Sequence, residues 1–256
     1  MIKVGVIGAG GRMGSITCET IIGEDGMELA AAIDPSTAGE SIEGSDVVVS
    51  GELSALTDAE CDVVVDFTHL EIALANAEFC AANAIHMVIG TSGFTEAELA
   101  QLESQFTSSN CVVVPNFSIS AVLLKHLSKI SAPFFETCEV IELHHNGKKD
   151  TPSGTAMDLA TAIGEASDDW APDPTEVENV PSSRGSNING VPVHSVRMAG
   201  MVGHQEVIMG TLGQTLTLRQ DSYDRSSFMP GVVLAVRGID DNGGVTLGLE
   251  KFLGLS

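Results

Sequence analysis

The first half of the chain alternates short apolar runs with helical patterns. Residues 2–7 (IKVGVI) form an apolar run that predicts a buried strand, residues 8–14 are rich in glycine, and the apolar positions of 13–21 repeat with helical spacing. Similar apolar runs follow at 27–33, 62–67, 86–89 and 111–114. Near-continuous runs of this kind, separated by helices, are typical of a parallel sheet covered on both faces. We therefore predict an α/β fold with a Rossmann-like, doubly wound sheet.

The pattern changes after residue 120. Helices are predicted at 121–130, 155–165 and 228–239, and a strand at 137–143. Three further runs alternate apolar and polar residues, at 193–198, 206–209 and 214–219, which predicts antiparallel strands with one buried face. The closing segment 245–255 is expected to return to the first domain. The middle of the chain is therefore expected to fold differently from its first part.

The charge, hydrophobicity and cysteine content of the chain argue against several classes of function. The 256 residues contain 12 Lys and Arg against 35 Asp and Glu, a formal charge of −23, which argues against the cationic surface that nucleic acids require. No run reaches the ~18 apolar residues of a membrane span. The five cysteines are scattered without C-x-x-C spacing, which predicts a reducing cytoplasm, no disulfide framework and no metal site. These features favour a cytoplasmic protein that acts on a small molecule.

The glycine segment follows a strand and precedes a helix, which is the setting of a dinucleotide-binding turn. Its glycines fit the spacing G-x-x-G-x-x-G at Gly8, Gly11 and Gly14, while Met13 stands where G-x-G-x-x-G would need its third glycine. Glycines let the backbone approach a pyrophosphate at the positive end of the helix. An ordinary turn is the simpler alternative, but the ordered succession of strand, turn, helix and second strand favours a nucleotide site.

Asp34 ends the second predicted strand, about 20 residues past the glycine turn, where an acid commonly holds a ribose. Its carboxylate would accept from both ribose hydroxyls and repel a 2′-phosphate, and Pro35 follows where an Arg would favour NADPH. Arg12, inside the turn, could still reach a phosphate. We expect NADH to be used at least as well as NADPH, and the residues are compatible with use of both.

Three later strands end in polar or glycine-rich segments, at 66–68, 90–92 and 116–118. Each segment alone is equally typical of a helix cap or a turn. The carboxyl ends of the strands line the ligand crevice of a doubly wound sheet. Together the three segments therefore predict the nicotinamide half of a cofactor site.

Residues 142–156 (ELHHNGKKDTPSGTA) concentrate the chemistry of the second domain. His144 and His145 suit general acid work because the ordinary pKa of histidine lies near neutrality. Lys148 can hold a carboxylate, and the Ser-Gly-Thr turn at 153–155 offers backbone N–H groups and hydroxyls to an anion. An ordinary strand-end histidine is the alternative for either imidazole taken alone. The combination predicts a pocket for a small anion that also receives a proton.

The motifs resemble those of the dihydrodipicolinate reductase family. The matching residues are GxxGxxG at 8–14, GTxGF at 90–94, NFS at 116–118 and E-x-H-H-x-x-K-x-D-x-P-S-G-T-A at 142–156, and the resemblance covers the whole chain. It implies a Rossmann-like dinucleotide-binding domain at 1–118 and 226–256. It also implies a smaller α+β domain with an open mixed or antiparallel sheet at 119–225, which binds substrate and joins a homotetramer.

The family's activity is implied in the same way. It is the NADH- or NADPH-dependent reduction of 4-hydroxy-tetrahydrodipicolinate to tetrahydrodipicolinate in diaminopimelate and lysine biosynthesis, with hydride delivered to ring C4. His144 would donate the proton, and Lys148 would assist the transfer and bind a substrate carboxylate with His145. The turn Ser153, Gly154 and Thr155 would hold the second carboxylate. The dinucleotide would contact Gly8, Ala9, Gly10, Gly11, Arg12, Met13, Asp34, Phe67, Thr68, Gly90, Thr91, Ser92, Val114, Pro115, Asn116 and Phe117.

Two positions depart from the family pattern. Ser92 replaces a common Thr and keeps the hydroxyl, and Gly147 stands where a third histidine is frequent. Two other functions stay open at this point. A different nicotinamide-dependent dehydrogenase would more typically show a cysteine in a strand-end turn or a Lys/Asp pair, and a non-catalytic dinucleotide sensor would not need two histidines beside a lysine.

Overall fold

Two sheets organise the chain, and the computed structural model describes residues 1–255. The strands are β1 (Ile2–Ile7), β2 (Met27–Ile33), β3 (Val63–Asp66), β4 (His86–Ile89), β5 (Cys111–Val113), β6 (Thr137–His144), β7 (Ser186–Ile188), β8 (Val191–Arg197), β9 (Gly203–Thr211), β10 (Gln214–Ser222) and β11 (Val245–Leu247). The helices are α1 (Arg12–Gly23), α2 (Ser54–Asp58), α3 (Leu70–Ala82), α4 (Glu96–Gln105), α5 (Ile119–Ser131), α6 (Gly154–Glu165) and α7 (Met229–Gly238). Three 3₁₀ turns lie at Ala132–Phe134, Arg225–Phe228 and Lys251–Leu253.

The chain divides into two units. Unit 1 combines Met1–Ile119 with the segment that begins at Arg225, and unit 2 is Ser120–Asp224. Both ends of the chain therefore contribute to unit 1, and α7 and β11 belong to it.

Unit 1 is built on a six-stranded sheet with the order β11-β5-β4-β3-β1-β2, in which every neighbouring pair is parallel. Apolar side chains of α2, α3 and α4 pack on it in one buried cluster, and α1 packs beside α7. The chain moves from β1 to β2 on one side and then to β3 on the other side of β1. The carboxyl end of β1 is thus a topological switch point, where doubly wound sheets bind their ligands.

Unit 2 is built on a five-stranded sheet with the order β10-β9-β6-β8-β7. The face that carries Val140, Val193 and Val207 packs against Leu159 and Ile163 of α6. β9 runs antiparallel to β6 and to β10, whereas β8 runs parallel to β6. The sheet is therefore mixed, and its core lies beneath α6.

The prediction that all three alternating runs pair as antiparallel strands holds only in part for 193–198, because β8 is antiparallel to β7 but parallel to β6. Val193 of β8 lies opposite Val140 in parallel register with β6. Alternation reports that one face of a strand is buried but carries no information about the direction of its neighbour. The parallel pairing needs a crossover connection, and α6 lies within that connection.

Across residues 1–255, no helix combines the length and apolarity needed to cross a membrane. No group of three or more His, Cys, Asp or Glu side chains in that range is arranged to hold a metal ion.

Candidate active site

The glycine turn brings β1, α1 and β2 into close backbone contact. Gly8 adopts φ +81°, and the N–H groups of Gly8 and Ala9 both donate to Ile33 O, at 2.8 and 3.2 Å. A Cβ at Gly14 would lie 2.0 Å from Gly8 O, and one at Gly10 would lie 2.9 Å from Asp34 Oδ2. Side chains at these positions would therefore force the elements apart, which explains why glycine occupies them.

The amino end of α1 is open to an anion. Its N-cap is Gly11, and no side chain caps the helix there. The first N–H groups of a helix have no partner inside the helix, and they lie at its positive end. Exposed Arg12 adds a cation at the same end. These features fit the pyrophosphate of a dinucleotide.

Asp34 is fixed beside the glycine turn. Its Oδ2 accepts from Gly10 N at 3.0 Å, and its Oδ1 accepts from Ser36 N at 2.9 Å and Ser36 Oγ at 2.6 Å. The Ser36 hydroxyl, together with the Ser36 and Gly10 backbone N–H groups, holds the pKa of Asp34 below its ordinary value although burial opposes this. The carboxylate stays ionised and is placed to accept from ribose hydroxyls.

The strand-end segments meet the glycine turn. The Phe67 and Phe117 rings lie 5.5 Å apart, and a Cβ at Gly90 would come within 2.2 Å of the Phe67 ring. Thr91 Oγ1 donates to Thr68 O at 3.0 Å. A Cβ at Gly8 would lie 3.0 Å from Phe67 O. The segments that follow the carboxyl ends of β1, β3, β4 and β5 therefore lie together at one edge of the sheet, beside the glycine turn.

The remaining residues predicted to contact the cofactor differ in exposure. Ala9, Val114 and Phe117 are buried, Met13 and Asn116 are half-buried, and Gly10, Ser92 and Pro115 are exposed. Asn116 Oδ1 accepts from Ser118 N at 2.9 Å, which shapes the turn after β5.

A buried acid of the segment 66–68, which was not itself among the predicted cofactor contacts, supports the β3 turn. Asp66 is fully buried and accepts from Thr68 N at 2.8 Å, Thr68 Oγ1 at 2.6 Å and Asn76 Nδ2 at 2.7 Å. Burial raises the pKa of Asp66 against the opposing effect of these hydrogen bonds. The carboxyl group fixes the turn that carries Phe67 and Thr68.

In unit 2, one face of the mixed sheet changes from apolar to polar along its length. Alternate residues of β6 share a face, so Val140 and Glu142 point to the α6 side together with His144. Across the parallel pair, Ser195 lies opposite Glu142 and Arg197 opposite His144. The polar end of the face lies at the carboxyl ends of β6 and β8.

Glu142 is the centre of this polar end and has no exposed surface. Arg197 donates a hydrogen bond to each of its oxygens, with Nη1 2.9 Å from Oε2 and Nη2 2.8 Å from Oε1. Ser153 N donates to Oε1 at 3.3 Å, and His144 Nδ1 is hydrogen-bonded to Oε2. Burial favours protonation, but the hydrogen bonds from Arg197, the Ser195 hydroxyl and His144 hold the pKa of Glu142 below its ordinary value.

His144 lies at the end of β6 and is partly buried. Burial lowers the pKa of its imidazole, the cations Lys148 and Arg197 lower it further, and Glu142 opposes both effects. The backbone is fixed as well, since Met198 N donates to His144 O at 3.0 Å. Because a carboxylate only accepts, the Nδ1 bond to Glu142 leaves Nε2 as the nitrogen available for proton exchange.

Lys148 follows in a tight turn, with its N–H donating to His145 O at 3.1 Å. Its Nζ lies 2.9 Å from Asp150, and this pairing lowers the pKa of the Asp150 carboxyl. Arg197 Nη2 also donates to Asp150 O at 2.9 Å. The lysine turn is therefore tied to the same arginine that holds Glu142, whereas His145 and Lys149 are exposed.

The Ser-Gly-Thr turn forms the amino end of α6. Ser153 is buried and its Oγ accepts from Ala156 N at 3.2 Å, so it caps the helix. Gly154 and Thr155 are exposed in the first turn, where backbone N–H groups have no partner within the helix. Glu142, through Ser153 N, links this helix end to His144.

Glu142 and Arg197 were not among the predicted site residues. Glu142 offered a signal, because the alternation of a strand puts it on the same face as apolar Val140 and as His144. Arg197 offered a weaker signal, because it is distinguished only as one of the 12 Lys and Arg residues of an acidic chain. The pair is 55 positions apart in sequence, and only the parallel register of β6 and β8 brings it together.

Comparison with known proteins agrees with these features. The family model described as dihydrodipicolinate reductase, N-terminus, matches residues 2–117, and the one described as its C-terminus matches residues 118–253. The chain belongs to the dihydrodipicolinate reductase family. This confirms the predicted family, the fold class of a Rossmann-like domain with a smaller α+β domain, and an oxidoreductase that uses NADH or NADPH.

Individual relatives match over their full length. The 4-hydroxy-tetrahydrodipicolinate reductase of Corynebacterium urealyticum is 50% identical over 262 residues, with 100% of both chains covered. That of Mycobacterium ulcerans is 43% identical, covering 99% of this chain and 100% of the relative. The dipicolinate-bound dihydrodipicolinate reductase of Paenisporosarcina sp. TG-14 superposes with a TM-score of 0.88 at 35% identity, covering 98% of this chain and 99% of its own.

The rival dehydrogenase chemistry finds no support in the cysteines. All five are buried, and burial raises the pKa of each thiol, to about 12 for Cys18 and about 11 for Cys61. A thiol with a pKa this high is not a nucleophile at neutral pH. Neither alternative function is favoured for a chain of this family.

Proposed function

We propose that this chain reduces 4-hydroxy-tetrahydrodipicolinate to tetrahydrodipicolinate with NADH or NADPH, in diaminopimelate and lysine biosynthesis. One observation carries the proposal. In a chain of the dihydrodipicolinate reductase family, a histidine held on a buried carboxylate stands beside a lysine turn and a helix amino end. A proton donor and two places for carboxylates are what reduction of a dicarboxylate with a conjugated imine requires.

The cofactor is bound by unit 1 and, when bound, supplies the hydride that goes to ring C4 of the substrate. The glycine turn and the amino end of α1 hold its pyrophosphate, and Asp34 holds a ribose. The segments at 67–68, 90–92 and 114–117 contact its nicotinamide half. The convergence of Gly8, Phe67 and Gly90 supports this assignment.

The two substrate carboxylates are bound by unit 2. Lys148 and His145 bind one of them, which requires Lys148 Nζ to exchange Asp150 for the substrate. Ser153, Gly154 and Thr155 bind the other at the amino end of α6, where the helix dipole favours an anion. The carboxylates orient the ring and place it beside His144.

His144 supplies the proton from Nε2. Loss of the 4-hydroxyl together with a neighbouring ring hydrogen, as water, gives the conjugated imine that accepts hydride at C4, and a proton on the ring neutralises the negative charge that results. The balanced reaction consumes one reduced cofactor and one proton and yields the oxidised cofactor and water. Lys148 stabilises the developing charge electrostatically and assists the proton transfer.

We also propose a homotetramer in the cytoplasm, joined through the mixed sheets. The face of the sheet opposite α6 carries Ile141, Leu143 and Ile208, which stay half-buried within the single chain. Apolar side chains on an open sheet face favour coverage by another copy. Sedimentation of the purified protein tests the assembly.

The activity is tested by following oxidation of NADH and NADPH, with substrate formed in situ from pyruvate, aspartate semialdehyde and a dihydrodipicolinate synthase. Turnover that depends on every component is expected. Omission of the synthase is the control, because it leaves the protein and both cofactors unchanged. Tight dinucleotide binding without turnover would overturn the proposal and favour the dinucleotide sensor.

A further inference from the structure

A fully buried glutamate on the apolar face of a strand needs an explanation. Glu142 is followed on its face by the partly exposed His144 and preceded by Val140, which is also fully buried. An ionised carboxylate without water is costly unless its lone pairs are occupied, and apolar residues often replace a buried ion pair without loss of stability. Stability of the fold alone therefore does not account for this acid.

The two oxygens of Glu142 have different partners: Oε1 is bound only by groups that hold the carboxylate in place, whereas Oε2 also contacts His144. Oε1 receives Arg197 Nη2 and Ser153 N, which belong to β8 and to the cap of α6. Oε2 receives Arg197 Nη1 and the Nδ1 of His144. The carboxylate is thus held by Arg197 of β8 and by Ser153 at the cap of α6, and it orients the imidazole of His144 on its own strand.

This alignment fixes the tautomer of His144. Nδ1 donates to a group that only accepts, so Nε2 is the nitrogen that gains and loses the proton. A carboxylate at Nδ1 also stabilises the protonated ring, as an orienting acid does for a general-base histidine. Gly203 lies opposite His144 on β9, and a Cβ there would lie 3.8 Å from Nε2. The absence of a side chain at Gly203 leaves that side of Nε2 uncovered.

The same carboxylate is connected to Lys148. Arg197 is hydrogen-bonded to Glu142 and also donates to Asp150 O. The Asp150 carboxylate in turn pairs with Lys148 Nζ. The proton donor and the cation that binds substrate are therefore both anchored to one buried acid. Removal of that acid loosens two functional groups at once.

We propose that Glu142, fixed by Arg197, is the positioning residue of this site: it orients His144 through Nδ1 and stabilises its protonated form, so that Nε2 carries the transferable proton. The proposal rests on the proposed function for its kinetic consequences. The orientation and tautomer of His144 in the free protein follow from its contact with Glu142 and do not depend on the proposed function.

Glu142→Gln tests the proposal through the pH dependence of kcat/KM. The charged groups around His144 are Glu142 on its own strand, Arg197 on β8, and Lys148 with Asp150 in the following turn, while α6 and β9 present the uncharged Ser153 and Gly203. His144 acts protonated, so kcat/KM falls as pH rises through its pKa, which is below the ordinary ~6.5. Loss of the carboxylate is expected to move this fall to still lower pH and to reduce kcat at neutral pH by about tenfold or more.

Glu139→Gln is the matched control. Glu139 lies on the same strand but on the opposite face, and it also pairs with an arginine and a histidine, with Arg184 Nη2 and His194 Nε2 each 2.5 Å from its oxygens. This variant is expected to leave the pH at which kcat/KM falls unchanged. An equal shift in both variants would show a general effect of charge and overturn the proposal.

A double-mutant cycle separates positioning from folding. In a His144→Gln background, Glu142→Gln is expected to cost less activity than it does in the wild type, because the part of its effect that passes through His144 is already lost and only the part through Lys148 remains. Multiplicative losses would overturn the proposal. If Glu142→Gln does not fold, Glu142→Asp and Arg197→Lys are used instead. Each keeps the charge but alters the paired geometry, so kcat is expected to fall several-fold with the pH dependence retained, and unchanged kcat would contradict the proposal.

NMR titration of His144 gives a readout that needs no turnover. The His144 signal among the seven histidines is assigned by its loss in His144→Gln. In Glu142→Gln the His144 pKa is expected to fall relative to the wild type. An inactive wild-type protein that shows this shift would contradict the proposed function and leave the positioning role intact, whereas an unchanged pKa would contradict the positioning role alone.

Discussion

The glycine turn of unit 1 and the histidine–lysine segment of unit 2 both prepare a place for negative charge, and they do so by different means. The first uses the backbone: the N-cap of α1 is Gly11, which has no side chain to cap the helix, and there is no room for a Cβ at Gly14. The second uses side chains: α6 is capped by Ser153, and the buried Glu142, paired with the partly exposed Arg197, holds His144.

The difference follows from what each site has to do. A pyrophosphate is held and released without a chemical change, so backbone N–H groups at a helix end suffice. A substrate that receives a proton needs a titratable group in a defined state, which side-chain charges must set. One site should therefore be sensitive to added volume and the other to the removal of charge or of a proton donor.

The largest effect is expected from His144→Gln in unit 2. Without the proton donor, kcat should fall by about two or more orders of magnitude, while KM for the substrate and the affinity for NADH change little. Steady-state kinetics and NADH titration measure these quantities. Wild-type turnover in this variant would rule out His144 as the acid.

An intermediate effect is expected from Gly14→Ala in unit 1. Its Cβ would lie 2.0 Å from Gly8 O, and overpacking of this kind costs about 1–3 kcal/mol. The affinity for NADH should fall about tenfold to a hundredfold, as measured by calorimetry.

Gly23→Ala provides the control within the same helix. Nothing lies within 4 Å of a Cβ at Gly23, so binding should be unchanged and the helix slightly stabilised. Equal loss of affinity in the two variants would show that the close approach of Gly14 to Gly8 is not the cause of the effect.

The smallest effect is expected from Asp34→Asn. The amide keeps an acceptor for Gly10 N but removes the negative charge that disfavours a 2′-phosphate. The ratio of kcat/KM for NADPH to that for NADH should rise by about tenfold, which corresponds to ~1.4 kcal/mol. An unchanged ratio would show that another group, such as Arg12, governs the choice of cofactor.

Much of unit 1 could be predicted because its signals are local. The strand at 2–7, the glycine turn, α1 and Asp34 follow one another within a short stretch, and each depends on neighbours in sequence. The same holds for His144, Lys148 and the Ser153 cap. Local periodicity and turn chemistry are enough for such features, because the contacts that define them lie close along the chain.

Other features were outside the reach of local signals. β8 runs parallel to β6, although its alternating pattern predicted an antiparallel strand. Asp66 lies in the predicted strand at 62–67, but its pattern gave no sign that Thr68 and Asn76 would bind its buried carboxyl group. In each case the outcome depends on which distant segment becomes the neighbour, and periodicity reports only which face is buried.

Local patterns along the chain were therefore enough to predict the family, the type of fold, the use of a nicotinamide cofactor and the residues proposed for chemistry. Only the folded protein shows that Glu142 meets Arg197 across 55 positions, and that Gly8, Phe67 and Gly90 lie close together. The physical reason is that sheet register joins segments far apart in the chain. A buried charge can be tolerated only after that register has supplied its partners.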